Sequence, residues 1–262
     1  MIKQNIAQLE EKSIYILREA NMKFKNVAAL WSMGKDSTTM LALARKAFLG
    51  KIPFPVIHID NGIDFPETYA FREQLAKKWK LNLIVANSSI KPDSVGSACC
   101  GSNKPETLKK VMKENGFDAL IVSIRRDEHG IRSKERYMSP RDEKFRWKYK
   151  DQPAELWDDY ASKLDKGGHV RVHPLLDWNE IDIWRYIKQE KIPINPLYFS
   201  RNGFRYRSLG CLHCTVPVKS NAKNVDEIVK ELETTKIEER SGRSMDKEAE
   251  YTMQRLRSLG YM

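Results

Sequence analysis

The sequence predicts an α/β protein built on an open, doubly wound, mostly parallel sheet. Three observations predict it: short apolar runs alternate with stretches of helical length, the runs are rich in Val, Ile and Leu, and polar groupings follow the runs directly. Residues 2–22 place Ile2, Ile6, Leu9, Ile16 and Leu17 among charges and read as an amphipathic helix. Val27 to Trp31 is a strand, Ser32-Met33-Gly34-Lys35-Asp36-Ser37 a polar loop, and Thr38 to Phe48, rich in Ala and Leu, a helix. Pro55 to Asp60 is a second strand, Glu67 to Lys80 a second helix, and Asn82 to Ala86 a third strand. A helix from Pro105 to Glu114 stops at Asn115-Gly116 before the strand Ala119 to Ser123. This alternation demands crossover helices between parallel strands. Phe145 to Gly168 is charged and aromatic with little periodicity and reads as a surface excursion of the kind that forms lids. Val170 to Leu176 and Asn179 to Gln189 are a last strand and helix, and a cysteine-bearing segment with two polar helices follows Pro196.

The 262 residues, 41% of them hydrophobic, suffice for one large domain or a domain with an extension, which excludes disorder throughout. The N-terminus has no signal-type apolar core, and no stretch approaches the roughly 18 apolar residues of a membrane span. A cytoplasmic protein without membrane contact is the expectation. The formal charge of +11 calls for an anionic partner without choosing among nucleic acid, nucleotide, sulfate and acidic protein.

Ligands of open α/β sheets collect at the carboxyl ends of the strands, where Ser32 to Ser37, Asp60 to Gly62 and Arg125 to Glu128 fall. A Ser, Gly, Lys, Asp and Ser loop between strand and helix offers backbone N–H groups, a helix N-terminus and the Lys35 charge to a phosphate. The spacing is not that of a Walker loop, which disfavours a kinase or GTPase. The plainer alternative is a polar turn capping the helix through Ser37 or Asp36.

Ser32-Met33-Gly34-Lys35-Asp36-Ser37 resembles the signature of the ATP pyrophosphatase superfamily. Within it, His58-Ile59-Asp60-Asn61-Gly62, Arg125-Arg126-Asp127-Glu128, Lys134-Glu135-Arg136, Pro153-Ala154-Glu155-Leu156-Trp157, Tyr206 to Cys211 and Glu239-Arg240-Ser241-Gly242-Arg243 resemble, in order, the small catalytic subunit family of sulfate adenylyltransferase. The resemblance implies a nucleotide-binding domain over residues 1–195 with an extension over 196–262, ATP and sulfate as substrates, and a heteromer with a GTP-hydrolysing large subunit. Between Pro196 and Arg205 the chain has a short linker where the family commonly carries an insertion. The expected roles follow. Ser32, Gly34, Lys35, Ser37 and Thr38 face the leaving phosphates, Asp36 and Asp60 hold Mg²⁺ through water, and Gly62 joins Asp60 among the nucleotide-binding residues. Arg125 and Arg126 take sulfate and the α-phosphate, since guanidinium matches oxyanions bidentately. Lys35→Ala and Arg125→Ala are each expected to abolish turnover with the fold intact. Lys134, Glu135 and Arg136 are weaker candidates in a charged run whose ordinary explanation is a solvated face.

Cys99-Cys100 and Cys211-Leu212-His213-Cys214 hold all four thiols. Two local pairs in a chain expected to be cytosolic point to a metal centre. Adjacent side chains diverge, which suits the separate irons of a [4Fe–4S] cluster better than one zinc ion, with plain buried thiols as the remaining alternative. The arrangement resembles the cluster motif of assimilatory adenylylsulfate reductases, but no cysteine follows Cys214 to act as their nucleophile. Three other readings compete: such a reductase, an iron–sulfur sulfurtransferase adenylating a nucleic acid, and a regulator sensing ATP or redox state. Phe145 to Lys150, basic with interleaved aromatics, would serve a single-stranded nucleic acid, although aromatics folded inward explain it more simply.

Overall fold

The computed structural model describes residues 5–88, 104–128, 135–147 and 166–235, together with Arg132, Glu155, Trp157, Tyr160, Leu164 and Glu239. Among these, β1 (Val27–Leu30), β2 (Val56–Asp60), β3 (Leu83–Asn87), β4 (Ala119–Ile121), β5 (Met138–Arg141) and β6 (His169–Val172) form one sheet in the order β3-β2-β1-β4-β6-β5. All neighbours are parallel except β5, which runs antiparallel to β6. The sheet class and the five strands expected from the sequence are present. The sequence reading missed β5, because Met138-Ser139-Pro140-Arg141 carries polar residues and a proline; at a sheet edge a residue without an N–H is tolerated.

The helices α1 (Ile6–Lys23), α2 (Lys35–Ala47), α3 (Pro66–Trp79) and α5 (Glu180–Gln189) share one core with Trp31, Val56 and Val170. The helix α4 (Lys104–Asn115) covers the opposite face through Leu108, Val111 and Met112, packed on Ala28, Ile57 and Leu120. Gly116, at φ 64, ends α4 in the left-handed conformation that favours glycine. Near the C-terminus lie a two-stranded ribbon, β7 (Phe204–Arg205) and β8 (Val218–Lys219), and α6 (Val225–Thr234). Tyr198, Ala222 and Ile228 enter the main core. Among the described residues no helix is long and apolar enough to cross a membrane.

Of the expected excursion, residues 148–154 and most of 156–165 lie outside the described residues, as does the second of the two expected C-terminal helices. Phe145 packs on His169 with ring centroids 4.3 Å apart, and the Arg141 guanidinium lies 5.0 Å from the Trp147 ring centre. These two aromatics thus fold inward.

Three buried histidines make the fold sensitive to acid. Burial pushes His58, His169 and His173 each from 6.5 down to about 4, helped at His58 by Arg72 and at His169 by Arg171. A depressed histidine is held neutral by the folded state, so its contribution is complete above pH 6.5 and is lost as pH falls toward 4. Thermal midpoints measured against pH at fixed ionic strength are expected to drop across that window, and His173→Gln to flatten the drop. An unchanged slope in His173→Gln would contradict the assignment.

Candidate active site

In the sheet β1 and β4 are neighbours, yet the chain leaves them in opposite directions, from β1 to β2 and from β4 toward β5 and β6. Their carboxyl ends open a crevice, the usual ligand position of an open α/β sheet. A cavity of about 520 Å³ fills it, bordered on its polar side by Ser32, Gly34, Lys35, Ser37, Arg171 and Glu239.

The polar loop is shorter than the sequence suggests. Helix α2 begins at Lys35 rather than Thr38, so Lys35, Asp36 and Ser37 form its first turn, with Gly34 as N-cap. First-turn N–H groups lack intrahelical acceptors, and the helix dipole puts positive potential there. Met33, at φ 56, turns the chain between strand and helix in a conformation costly for a side-chain-bearing residue. Gly34 sits at an ordinary φ of −75°, so backbone freedom does not explain it. A Cβ there would stand 3.4 Å from both Ser32 Oγ and Tyr198 Oη, on the wall of the cavity. The Ser32 N–H donates to Ser37 Oγ at 3.2 Å, and the two hydroxyls lie 3.1 Å apart.

Buried charge surrounds this turn. Lys35 Nζ donates to Asp36 at 3.0 Å and to Glu239. Arg125 donates through Nε to Asp127 at 2.9 Å and through its terminal nitrogens to Asp36 and Glu239. Lys35 is 1% and Arg125 0% exposed. Burial alone would lower both pKa values, but Asp36 and Glu239 override it and hold both cations charged, with both pKa values above their usual ones. Burial would likewise raise Glu239, yet Lys35 and Arg125 hold its carboxyl well below the usual range. Two buried cations thus converge on one carboxylate oxygen pair at the cavity wall.

Two residues of this site escaped the sequence reading. Glu239 stood only as the first letter of a closing motif, and nothing local signals contact with residues 204 and 114 positions away. Tyr198 accepts the Lys35 N–H at 2.8 Å, capping α2 from a distant turn. Tyr198→Phe would leave that buried N–H without its acceptor, an expected loss of about 1–3 kcal/mol measurable by urea unfolding. A change below a few tenths would show that the cap is idle.

Other expected site residues are placed differently. Arg126 turns away from the cavity to pair with Asp177, its guanidinium 5.7 Å from the Tyr137 ring centre; successive residues of a tight turn point their side chains apart. The Thr38 hydroxyl oxygen accepts the Trp31 indole N–H at 3.1 Å. Asp60 accepts the Gly62 N–H at 2.8 Å, the Tyr69 hydroxyl at 3.0 Å and Arg72 at 2.8 Å. These bonds pin the loop in which Gly62 takes φ 71, and they occupy the oxygens that a magnesium role would need. His58, Asp60 and Asp64 bring one ligand atom each within 4.8 Å, but Arg72 already holds Asp60. Glu135 is buried instead of solvated and binds Arg141 and Ser139, each at 2.8 Å. Lys134 lies outside the described residues.

Cys211 and Cys214 are buried in a turn closed by the Cys214 N–H to Cys211 O bond at 3.1 Å, with Cys214 on the cavity wall. The Leu212 N–H donates to Ile63 O at 2.9 Å, seating this turn against the loop after β2. His213 is exposed, and Cys99 and Cys100 lie outside the described residues.

A strand-to-helix turn lined with buried cations at the switch point of a parallel sheet defines an anion-binding α/β protein. Residues 26–217 match the family described as the phosphoadenosine phosphosulfate reductase domain. Over its whole length the chain is 40% identical to "Sulfate adenylyltransferase subunit 2" of Buchnera aphidicola subsp. Acyrthosiphon pisum (strain Tuc7), with 100% of both chains covered. It is also 40% identical to the protein of that name from Ectopseudomonas mendocina (strain ymp), with 98% of each covered. The chain therefore belongs to the phosphoadenosine phosphosulfate reductase domain family and, within it, to the sulfate adenylyltransferase subunit 2 group. Among solved structures, the phosphoadenylyl-sulfate reductase of Candida auris in a phosphate complex shares the fold at a TM-score of 0.53 and 18% identity, over 82% of this chain and 98% of that one. Candida glabrata FMN adenylyltransferase in complex with ATP does so at 0.59 and 20%, over 81% and 63%.

Proposed function

We propose that this chain transfers the adenylyl group of ATP to sulfate, releasing pyrophosphate, together with a large partner subunit that hydrolyses GTP. The observation that carries the reading is the Glu239 carboxylate seated between Lys35 and Arg125 at the head of α2, because a seat that holds one buried anion by two fixed cations suits a phosphate or sulfate oxygen pair. A sulfate oxygen attacks the α-phosphorus, the bond from that phosphorus to the bridging oxygen breaks, and pyrophosphate leaves with the electron pair. Sulfate is already a dianion, so no base is required. Negative charge grows on the β- and γ-phosphates, which the first turn of α2, Ser32, Ser37 and Lys35 face in this reading. Leu30, Ile59, Leu108 and Val122 supply an apolar wall suited to the adenine ring. Asp36, whose two oxygens already accept from Lys35 and Arg125, would hold Mg²⁺ only through water, and bound there the ion would supply positive charge to the leaving phosphates.

The alternatives are less well supported. Phe145 and Trp147 are folded inward, which leaves those rings unsuited to stacking on nucleic-acid bases. A reductase would lack a cysteine after Cys214. The pyrophosphate assay is run on the full chain purified anaerobically, alone and with its large subunit. Release from ATP that depends on sulfate is expected; release that depends on tRNA or DNA, or none at all, would overturn the reading.

Cys211 and Cys214, both buried and with Cys214 on the cavity wall, fit half of a thiolate set, and with Cys99 and Cys100 they would hold a [4Fe–4S] cluster. Bound there, it would add a redox-sensitive, electron-delocalised charge beside the site. Brown protein with visible absorbance lost on oxidation is expected, whereas colourless protein with stoichiometric zinc would reject the cluster.

A further inference from the structure

We propose that Arg171, in the middle of β6, is the residue that holds the acceptor sulfate, in a subsite separate from the one at Lys35. This inference rests on the sulfate-dependent reading above and names the seat of its second anion.

Arg171 lies across from Leu120 of β4 and Ser139 of β5, and its side chain borders the same cavity as Ser32, Gly34 and Lys35. Among the described residues its Nε is buried with no hydrogen-bond partner. Among the described residues it forms no ion pair, because Glu135, the carboxylate that attracts it, spends one oxygen on Arg141 and the other on Ser139, both at 2.8 Å. Burial accordingly pulls the Arg171 pKa below its ordinary value, with Glu135 opposing. A buried guanidinium nitrogen is rarely left in such a state, since its N–H loses water without gaining an acceptor.

Two other cations of the cavity are each paired with an acid. Lys35 has Asp36 and Glu239, and Arg132 pairs with Glu128, while Lys104 has Asp64 only in its electrostatic neighbourhood, with no ion pair among the described residues. A reaction that brings a dianion to a triphosphate needs a second seat whose charge is not already neutralised, or the two anions would repel each other from one cluster. Arg171 meets that need with planar donors suited to a tetrahedral oxyanion.

The test uses the full chain saturated with a non-hydrolysable α,β-methylene ATP analogue and titrated with sodium sulfate against sodium chloride at equal ionic strength, thermal midpoint being the readout. Wild type is expected to gain stability with sulfate. R171Q is expected to need about 10–100-fold more sulfate for the same gain, the loss of a charged hydrogen-bond set, while responding normally to the analogue. R171K, which keeps the charge but not the fork, is expected to fall between them, and it carries the test alone should R171Q fail to fold. A wild-type sulfate midpoint in either variant, loss of the analogue response along with the sulfate response, or no sulfate response in wild type would each overturn the proposal. The functional reading fails separately, when wild type binds sulfate through Arg171 and still releases no pyrophosphate.

Discussion

Arg125→Ala is expected to abolish sulfate-dependent pyrophosphate release and to destabilise the chain by about 3–5 kcal/mol, the usual cost of breaking a buried ion pair from one side. Read from the sequence, the substitution removes a strand-end arginine and leaves the fold intact. Burial reverses the second half of that expectation. Arg125 has no exposed surface, and its guanidinium touches Asp36, Asp127 and Glu239, so alanine strands several carboxylates around a void. For a chain of this size the loss corresponds to a thermal midpoint lower by roughly 6–20 °C. Arg125→Lys is expected to recover part of the stability, because one ammonium cannot serve three carboxylates spread around a planar fork. A midpoint for Arg125→Ala within about 2 °C of wild type would show that the cluster is not structural.

Lys35→Ala is expected to lower kcat for pyrophosphate release by about 10²–10³-fold, the effect of deleting one preorganised donor to charge that develops in the transition state. Its structural cost is smaller, about 1–3 kcal/mol, because Asp36 and Glu239 both keep Arg125 as a partner. Stability and turnover therefore separate the two cations: Arg125 is felt in both, Lys35 mainly in the rate. Single-turnover release by Lys35→Ala within threefold of wild type would remove Lys35 from the chemistry.

The pattern of apolar runs and turns was enough to read five of the six sheet strands and the α/β class, because strands buried on both faces and amphipathic crossover helices leave period and composition in the chain itself. Edge strand β5 left no such mark, since an edge needs neither continuous apolar residues nor every N–H. The Ser32 to Ser37 loop was legible because its function requires small residues and a cation at one turn. Its length was not, since Gly34 caps α2 without a side-chain bond that a capping rule could recognise.

The sequence by itself determined the fold class, the strand-to-helix turn and the presence of Lys35 and Arg125 near one crevice. Only the tertiary structure decided that Arg126 points away, that Asp60 pins a loop, that Tyr198 caps α2, and that Glu239 sits between the two cations while Arg171 Nε has no partner among the described residues. The physical reason is range. Backbone periodicity and turn chemistry act over a few residues and are written locally, whereas the pairing of a buried charge depends on which distant side chain packing brings within about 3 Å.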